Sequence, residues 1–381
     1  MQGLQRARGA GARLLAGAPW GASASAWGPA TTLRCYAAAP AMTDSLRKAF
    51  GYCVEQVRQY DYLNYVWVAQ MPQELRPALF ALRAFNIETA LIADNIKSKE
   101  AIVGQMRFQW WRDAVRSAYD NQPPNHPVVQ ALAHVLHSPG PARPAPASSS
   151  KSTAGGDEAG CSGTDACGST SGAASASTTA ASGPGRFSRY SFKRIVDCRE
   201  ADFVDPQPPL DLRALEQYAE RTASQLMYLQ LAAAGIKSSD ADHAASHLGR
   251  AAGICALLRG TAAHAARRRS YLPVELCAEA RVSQEDIYSG EVSEGLRDVV
   301  HKVASLAKGH LDEARRLAPR LPPGAPALML PSLGVERFLA ALEAANFNPF
   351  DPALASQGGG REGAPLAYVL AVKWHHLRGT Y

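Results

Sequence analysis

The sequence predicts an all-α protein built around one large helical domain. Three observations predict it. Apolar residues recur at helical spacing in most of the well-patterned segments. No strand-like alternation of note and no Rossmann glycine fingerprint interrupts them. The 381 residues are 46% hydrophobic and 19% charged, which suits a soluble globular chain with a sizeable core.

The first helical block runs from about Ser45 to His137. In SLRKAFGYCVEQVRQYDYLNYVWVAQ the apolar spacing reads as helix. Met71-Pro72-Gln73-Glu74 ends it and opens another, with Pro72 suited to a first turn. ELRPALFALRAFNIETALIADNI and QMRFQWWRDAVRSAYD are further helices, and Pro123-Pro124 and Pro127 mark the turn that follows. Residues 138–186 then become Pro, Ala, Ser, Gly and Thr with few charges. Such a segment buries too little apolar surface to offset its ordering entropy, so a disordered insertion is expected there, with its two ends close in space.

The second block begins with RFSRYSFKRIVDCREADF. DLRALEQYAERTASQLMYLQLAAAGI follows and is closed by Gly235; DHAASHLGRAAGICALLRGTAAHAARRR is long and rich in small residues. After Tyr271-Leu272-Pro273 come SEGLRDVVHKVASLAKGHLDEARRLAP, LGVERFLAALEAANF and LAYVLAVKWHHLRGTY. The expected folded domain is 43–381.

Met1 to Thr43 contains no acid, and Arg6, Arg8, Arg13 and Arg34 punctuate Ala, Gly, Ser and Leu. That composition suits a mitochondrial transit peptide, expected over 1–36, with Arg34-Cys35-Tyr36 before Ala37 resembling a processing site. No run of 18 apolar residues follows, so no spanning helix is expected. The seven cysteines form no C-x-x-C pair, which argues against a zinc ribbon or redox motif and fits a reducing compartment. The net charge of +6 favours anionic partners without specifying one, and no nucleic-acid partner is expected.

The stretch LLRGTAAHAARRRSYLP, Leu257 to Pro273, has a basic run and no acid. Further upstream lie Arg83-x-x-Asn86-x-x-x-Ala90, Gln109-Trp-Trp-Arg-Asp113, Asn125-His-Pro127 and Tyr218-Ala-Glu-Arg-Thr-Ala223. In order and spacing these pieces resemble the squalene and phytoene synthase family of head-to-head prenyl transferases, from Ser45 to the C-terminus apart from the insertion. The resemblance implies an isoprenoid-synthase-like helical bundle around a pocket. In the family, two aspartate-rich motifs on facing helices hold magnesium ions for the substrate diphosphates.

The first family motif reads roughly Arg-x-x-Asp-x-x-x-Asp. Arg83 matches it, while Asn86 and Ala90 stand where the aspartates belong. The second reads approximately Asn-x-x-Arg-Asp-x-x-x-Asp with a Gly-Arg-x-Tyr-Leu-Pro ending. Here Ala256 stands for the Asn and Arg259 matches, but Gly260 and His264 replace the aspartates. Arg268 replaces the usual Gly, and Arg269, Tyr271, Leu272 and Pro273 match. Magnesium wants oxygen ligands. Ala90 and Gly260 offer no ligand atom, Asn86 a neutral carbonyl, and His264 a nitrogen better suited to zinc.

The resemblance therefore implies a pseudoenzyme with no catalytic residue, no metal and no cofactor. Arg83, Glu88, Asp94, Arg259, Arg269 and Tyr271 are the candidate residual pocket residues. Glu88 and Asp94 are expected to face solvent or to pair with Arg83. Arg259, inside the bundle, needs a partner such as Glu88 or Asp94. The run Arg267-Arg268-Arg269 reads as a solvated face. His243 and His247 read as packed or exposed rather than zinc-binding, and His375-His376 as surface. One of Trp110 and Trp111 is expected in the core, since neighbouring helical positions diverge. The last helix, with Tyr368, Leu370, Val372 and Trp374, is balanced between core packing and contact with a membrane or partner.

This pattern of loss resembles a branch of the family made of mitochondrial assembly factors for respiratory complex I, the NADH:ubiquinone oxidoreductase. That likeness implies early complex I assembly intermediates as partners and a peripheral place on the matrix side of the inner membrane. Two other functions are weighed against it: a prenyl-diphosphate transferase with altered metal use, and a carrier with an isoprenoid or lipid ligand in the pocket.

Overall fold

The computed structural model describes residues 43–96, 101–138, 186–356 and 365–381. Among them every regular element is a helix. The expected transit peptide and nearly all of the expected insertion lie outside the described residues.

The first apolar segment forms two helices, not one: α1 (Asp44–Tyr60) and α2 (Tyr62–Val68). Thr43 caps α1 by accepting from the Leu46 N–H. The break is Asp61, whose φ of −144° takes it out of the helical region. Its carboxylate turns inward, accepting from Asn64 Nδ2 at 2.7 Å and from Arg83 at 3.2 Å. Pro72 lies in a turn, and Pro77 instead occupies the first turn of α3 (Arg76–Ala90). A short α4 (Ile92–Asn95) follows, then α5 (Ala101–Tyr119) and α6 (Pro127–His137), which opens on Pro127. Trp111 of α5 is buried edge-on against Phe85, and Trp110 is exposed. His126 packs edge-on against both indoles, so the Gln-Trp-Trp-Arg-Asp and Asn-His-Pro pieces meet as framework.

Arg186 reaches the Val135 carbonyl at 3.5 Å, so the flanks of the 139–185 connection meet as expected. Beyond it α7 (Arg189–Val204) lies against α5, fastened by Arg112 to Asp197 at 2.7 Å and to Glu200. The next amphipathic stretch forms α8 (Leu212–Ala219) and α9 (Gln225–Ala233), joined by a π-helical turn at Glu220–Ser224. That turn lies against α10 (Ser239–Arg259), the long helix at the centre of the second half. Contact is close because α10 presents Gly249 and Gly253. A Cβ on Gly249 would sit 2.4 Å from the Ser224 Cα, and one on Gly253 2.8 Å from the Ala219 Cβ. Glu220 secures the crossing, accepting from Tyr228, Ser246 and Arg250 at 2.8, 2.9 and 3.1 Å.

The chain continues through α11 (Thr261–Ala265), α12 (Val274–Glu279) and α13 (Gln284–Ser289), the last opened by a Ser283–Asp286 capping box. Ser293 caps α14 (Glu294–Arg316), which lies along α10. Short α15 (Ala325–Leu328), α16 (Pro331–Ala344), short α17 (Pro352–Ser356) and α18 (Leu366–Arg378) complete the body. His247 faces His310 of α14, Nδ1 to Nδ1 at 2.9 Å, and His310 reaches Glu216 at 2.6 Å. These histidines link α8, α10 and α14, and His243 does not join them.

Candidate functional site

The degenerate motif positions fall on α3 and at the α10–α11 junction. α3 offers Asn86 half-buried and Ala90 exposed. Between the two motifs stands a residue the sequence reading did not single out, Arg199 of α7. Its guanidinium donates to Asn86 Oδ1 at 2.7 Å, to the Asn86 carbonyl at 2.8 Å and to the Thr89 hydroxyl. Burial pushes the Arg199 pKa down, while Tyr218, Cys198, Asp202 and Tyr271 act to raise it. A cation is thus already fixed against the first-motif position.

The second-motif position is closed in a different way. Gly260 has an ordinary φ of −80°, so its backbone does not require glycine. A Cβ there would lie 2.6 Å from the His264 ring. The His264 imidazole fills the space over Gly260, so a larger residue there would displace the ring, and it packs edge-on against Tyr271, with centroids 4.7 Å apart. Burial first, and then the positive charge of Arg269, lower the His264 pKa to about 4.

That depression carries a sign. An unfolded histidine titrates near pH ~6.5. Between that value and about 4 the unfolded chain binds a proton that folded His264 refuses. Its contribution to stability is complete above the upper value and is lost as pH falls through the window. His264→Leu is expected to flatten the fall of the urea midpoint between pH ~6.5 and ~4. Part of the slope will remain, because burial also lowers the pKa values of His126, His134, His247 and His376. An unchanged slope would remove His264 from this account.

Each arginine of the 267–269 run has its own acid: Arg267 and Arg268 lie on an exposed face as expected, and Arg269 alone is drawn inward. Arg267 pairs with Asp94. Arg268 is bidentate to Glu285, at 3.1 and 2.7 Å, and lies over the Tyr288 ring. Arg268 also has φ of +54°, which explains why the family pattern places glycine there. Arg269 pairs with Asp202 of α7 at 2.9 Å, and the Tyr271 hydroxyl donates to the same carboxylate at 2.6 Å. Acids supplied by α4, α7 and α13 thus replace those missing from the sequence between Arg259 and Pro273.

Three expected pairings are corrected. Arg83 is buried and pairs with Asp61, not with Glu88 or Asp94. Glu88 instead accepts from the Tyr52 hydroxyl at 2.6 Å. Arg259 is half-buried at the end of α10 and makes no ion pair among the described residues, since Glu88 and Asp94 are engaged elsewhere. The physical reason is the break at Leu91: α3 ends there, and α4 carries Asp94 to Arg267.

Magnesium does not fit these residues. Ala90 and Gly260 lack donors, Asn86 Oδ1 faces a guanidinium, and Asp94 and Asp202 are held by Arg267 and Arg269. No group of three or more His, Cys, Asp or Glu side chains suited to a metal occurs among the described residues. The four described cysteines are held as thiols. Burial raises Cys53 and Cys255 to about 12 and Cys198 and Cys277 to about 11, which keeps them protonated at neutral pH.

A sequence model described as squalene/phytoene synthase matches residues 57–148 and 172–359. The chain belongs to the squalene/phytoene synthase family. Among solved members of this fold, it is similar to a squalene synthase, HpnC, from Alicyclobacillus acidocaldarius, with TM-score 0.60 and 19% identity. That alignment covers 80% of this chain and 97% of the other. A dehydrosqualene synthase gives TM-score 0.62 at 15% identity, over 87% of this chain and 97% of its own. Sequence relatives lie nearer. The human protein named NADH dehydrogenase (ubiquinone) complex I, assembly factor 6 is 33% identical over 303 residues, covering 80% of this chain and 76% of its own. The mouse protein of that name is 31% identical over 327 residues, covering 86% and 83%. A Dictyostelium discoideum homologue is 29% identical, covering 79% and 72%. At such distances the two solved synthases establish the shared squalene/phytoene synthase fold alone.

Proposed function

We propose that this chain is a non-catalytic assembly factor for respiratory complex I, acting in mitochondria as a peripheral protein on the matrix side of the inner membrane. Its partners are early complex I assembly intermediates. Residues 1–36 serve as the transit peptide, and 43–381 form the working body. The observation that carries this reading is identity of 31–33% with proteins named complex I assembly factor 6, over at least four fifths of the chain.

The site gives independent support. Ionising an allylic diphosphate needs metal charge on the leaving group. Asn86, Ala90, Gly260 and His264 supply no carboxylate, and the neighbouring acids already neutralise arginines. The framework around them is kept, which suits a body that docks to protein rather than one that turns over substrate.

The test is a null allele, with complex I followed by native gel electrophoresis. Assembled complex I is expected to fall early, before the peripheral arm is complete, and to return when the wild-type chain is restored. Normal complex I in the null line would reject the proposal.

A further inference from the structure

The last helix resolves the ambiguity the sequence left open, because its two faces do different things. On one side Tyr368 and Val372 are buried, and the Tyr368 hydroxyl points to the Leu63 carbonyl at 3.5 Å. Beyond the helix, Gly379 reverses the chain with φ of +65°, and Tyr381 is buried with its hydroxyl donating to the Ala314 carbonyl at 2.7 Å. α18 is therefore fixed to the body along its inner face and just past its end. Its outer face cannot fold inward to hide.

That outer face is apolar. Leu366, Leu370, Trp374 and Leu377 are 71%, 57%, 54% and 47% exposed. At 3.6 residues per turn they share an arc of about 80°. Lys373 borders one edge and Arg378 the other, with the Arg378 guanidinium 4.1 Å from the Trp374 ring centroid. No aspartate or glutamate occurs between Leu366 and Tyr381. Glu336, which lies within electrostatic reach of the helix flank at His375, is bidentate to Arg315 at 3.0 and 2.8 Å. No helix among the described residues is long and apolar enough to cross a bilayer. A short helix fits a bilayer interface when leucines and a tryptophan face outward between cations. The cations choose the surface, since anionic headgroups attract Lys and Arg and acids would be repelled.

We propose that the outer face of α18 is the chain's membrane-docking surface and that its ligand is an anionic phospholipid bilayer. Leu366, Leu370, Trp374 and Leu377 enter the boundary between headgroups and acyl chains, while Lys373 and Arg378 meet lipid phosphates. The proposal deepens the peripheral location proposed above and rests on that part of it.

The test uses the full chain with phosphatidylcholine vesicles, with and without phosphatidylglycerol, read by flotation. Binding is expected to the anionic vesicles. The double variant Leu370→Glu/Trp374→Glu should weaken it by about tenfold or more, since two apolar anchors are lost. Lys373→Gln should weaken it about fivefold. Thermal unfolding of each variant verifies that the body is folded, as expected for positions facing outward. Wild-type-like flotation of the folded double variant would overturn the proposal. So would equal binding to neutral vesicles, or a stable homodimer that the double variant splits, which would make a second copy the occupant. A null line with normal complex I would instead reject the assembly function and leave the vesicle result standing.

Discussion

Replacing Asp61 by alanine is expected to destabilise the fold by about 3 kcal/mol, because it strands a buried guanidinium. The Arg83 side chain is 8% exposed and that of Asp61 20%, with 3.2 Å between them. Burial lowers the Arg83 pKa and Asp61 offsets that. Asp61 also holds Asn64, which accepts from Trp67 Nε1 at 2.6 Å, and the Arg83 head lies over the Trp67 ring. One carboxylate thus organises the α1–α2 corner and the first-motif arginine together. Denaturant unfolding gives the measurement. Arg83→Met in the Asp61→Ala background should recover part of the loss, since both buried charges are then gone. A single variant as stable as wild type would show that the ion pair holds nothing.

Asp202→Ala should have an effect of similar size, about 3 kcal/mol, but a more local one. Asp202 is the carboxylate shared by Arg269 and Tyr271, and it also lies within electrostatic reach of Arg199. Without it, two cations confront each other and the Tyr271 hydroxyl loses its acceptor. The connection from α11 to α12 should detach first, since Arg269 and Tyr271 tie it to α7. Trypsin should then cut at Arg267 to Arg269 much faster than in wild type. Asp202→Asn keeps an acceptor for Tyr271 without the charge, so it should fall between the two. Unchanged cleavage in Asp202→Ala would contradict the role assigned to this carboxylate.

The helices and their order were legible in the sequence because apolar periodicity and caps are local signals. Gly235 as a stop and the burial of one indole in Trp110-Trp111 both follow from chemistry within a few residues, whereas Pro127, expected in a turn, opens α6. The breaks at Asp61 and Leu91 were not legible. Each serves a distant partner, Arg83 in one case and, through Asp94, Arg267 in the other. The family pattern located Asn86, Ala90, Gly260 and His264 as positions without carboxylates, but not what surrounds them. Arg199 and Asp202 escaped notice because Asn86 and Tyr271 lie 113 and 69 residues away along the chain. The available signal was charge inside CREADF, where Arg199 and Asp202 are spaced to share a helix face. Arg268 shows the opposite case. The replacement of a family glycine was visible, and its left-handed backbone was the physical reason glycine stood there.

The central claim is that this bundle keeps the family's frame while its motif positions cannot grip the metals that hold a diphosphate. Titration of the purified chain with farnesyl diphosphate, with and without magnesium and followed by product analysis, tests it most directly. No product and no magnesium-dependent gain in affinity are the predicted result. Magnesium-dependent turnover that disappears in Asp94→Ala would contradict it.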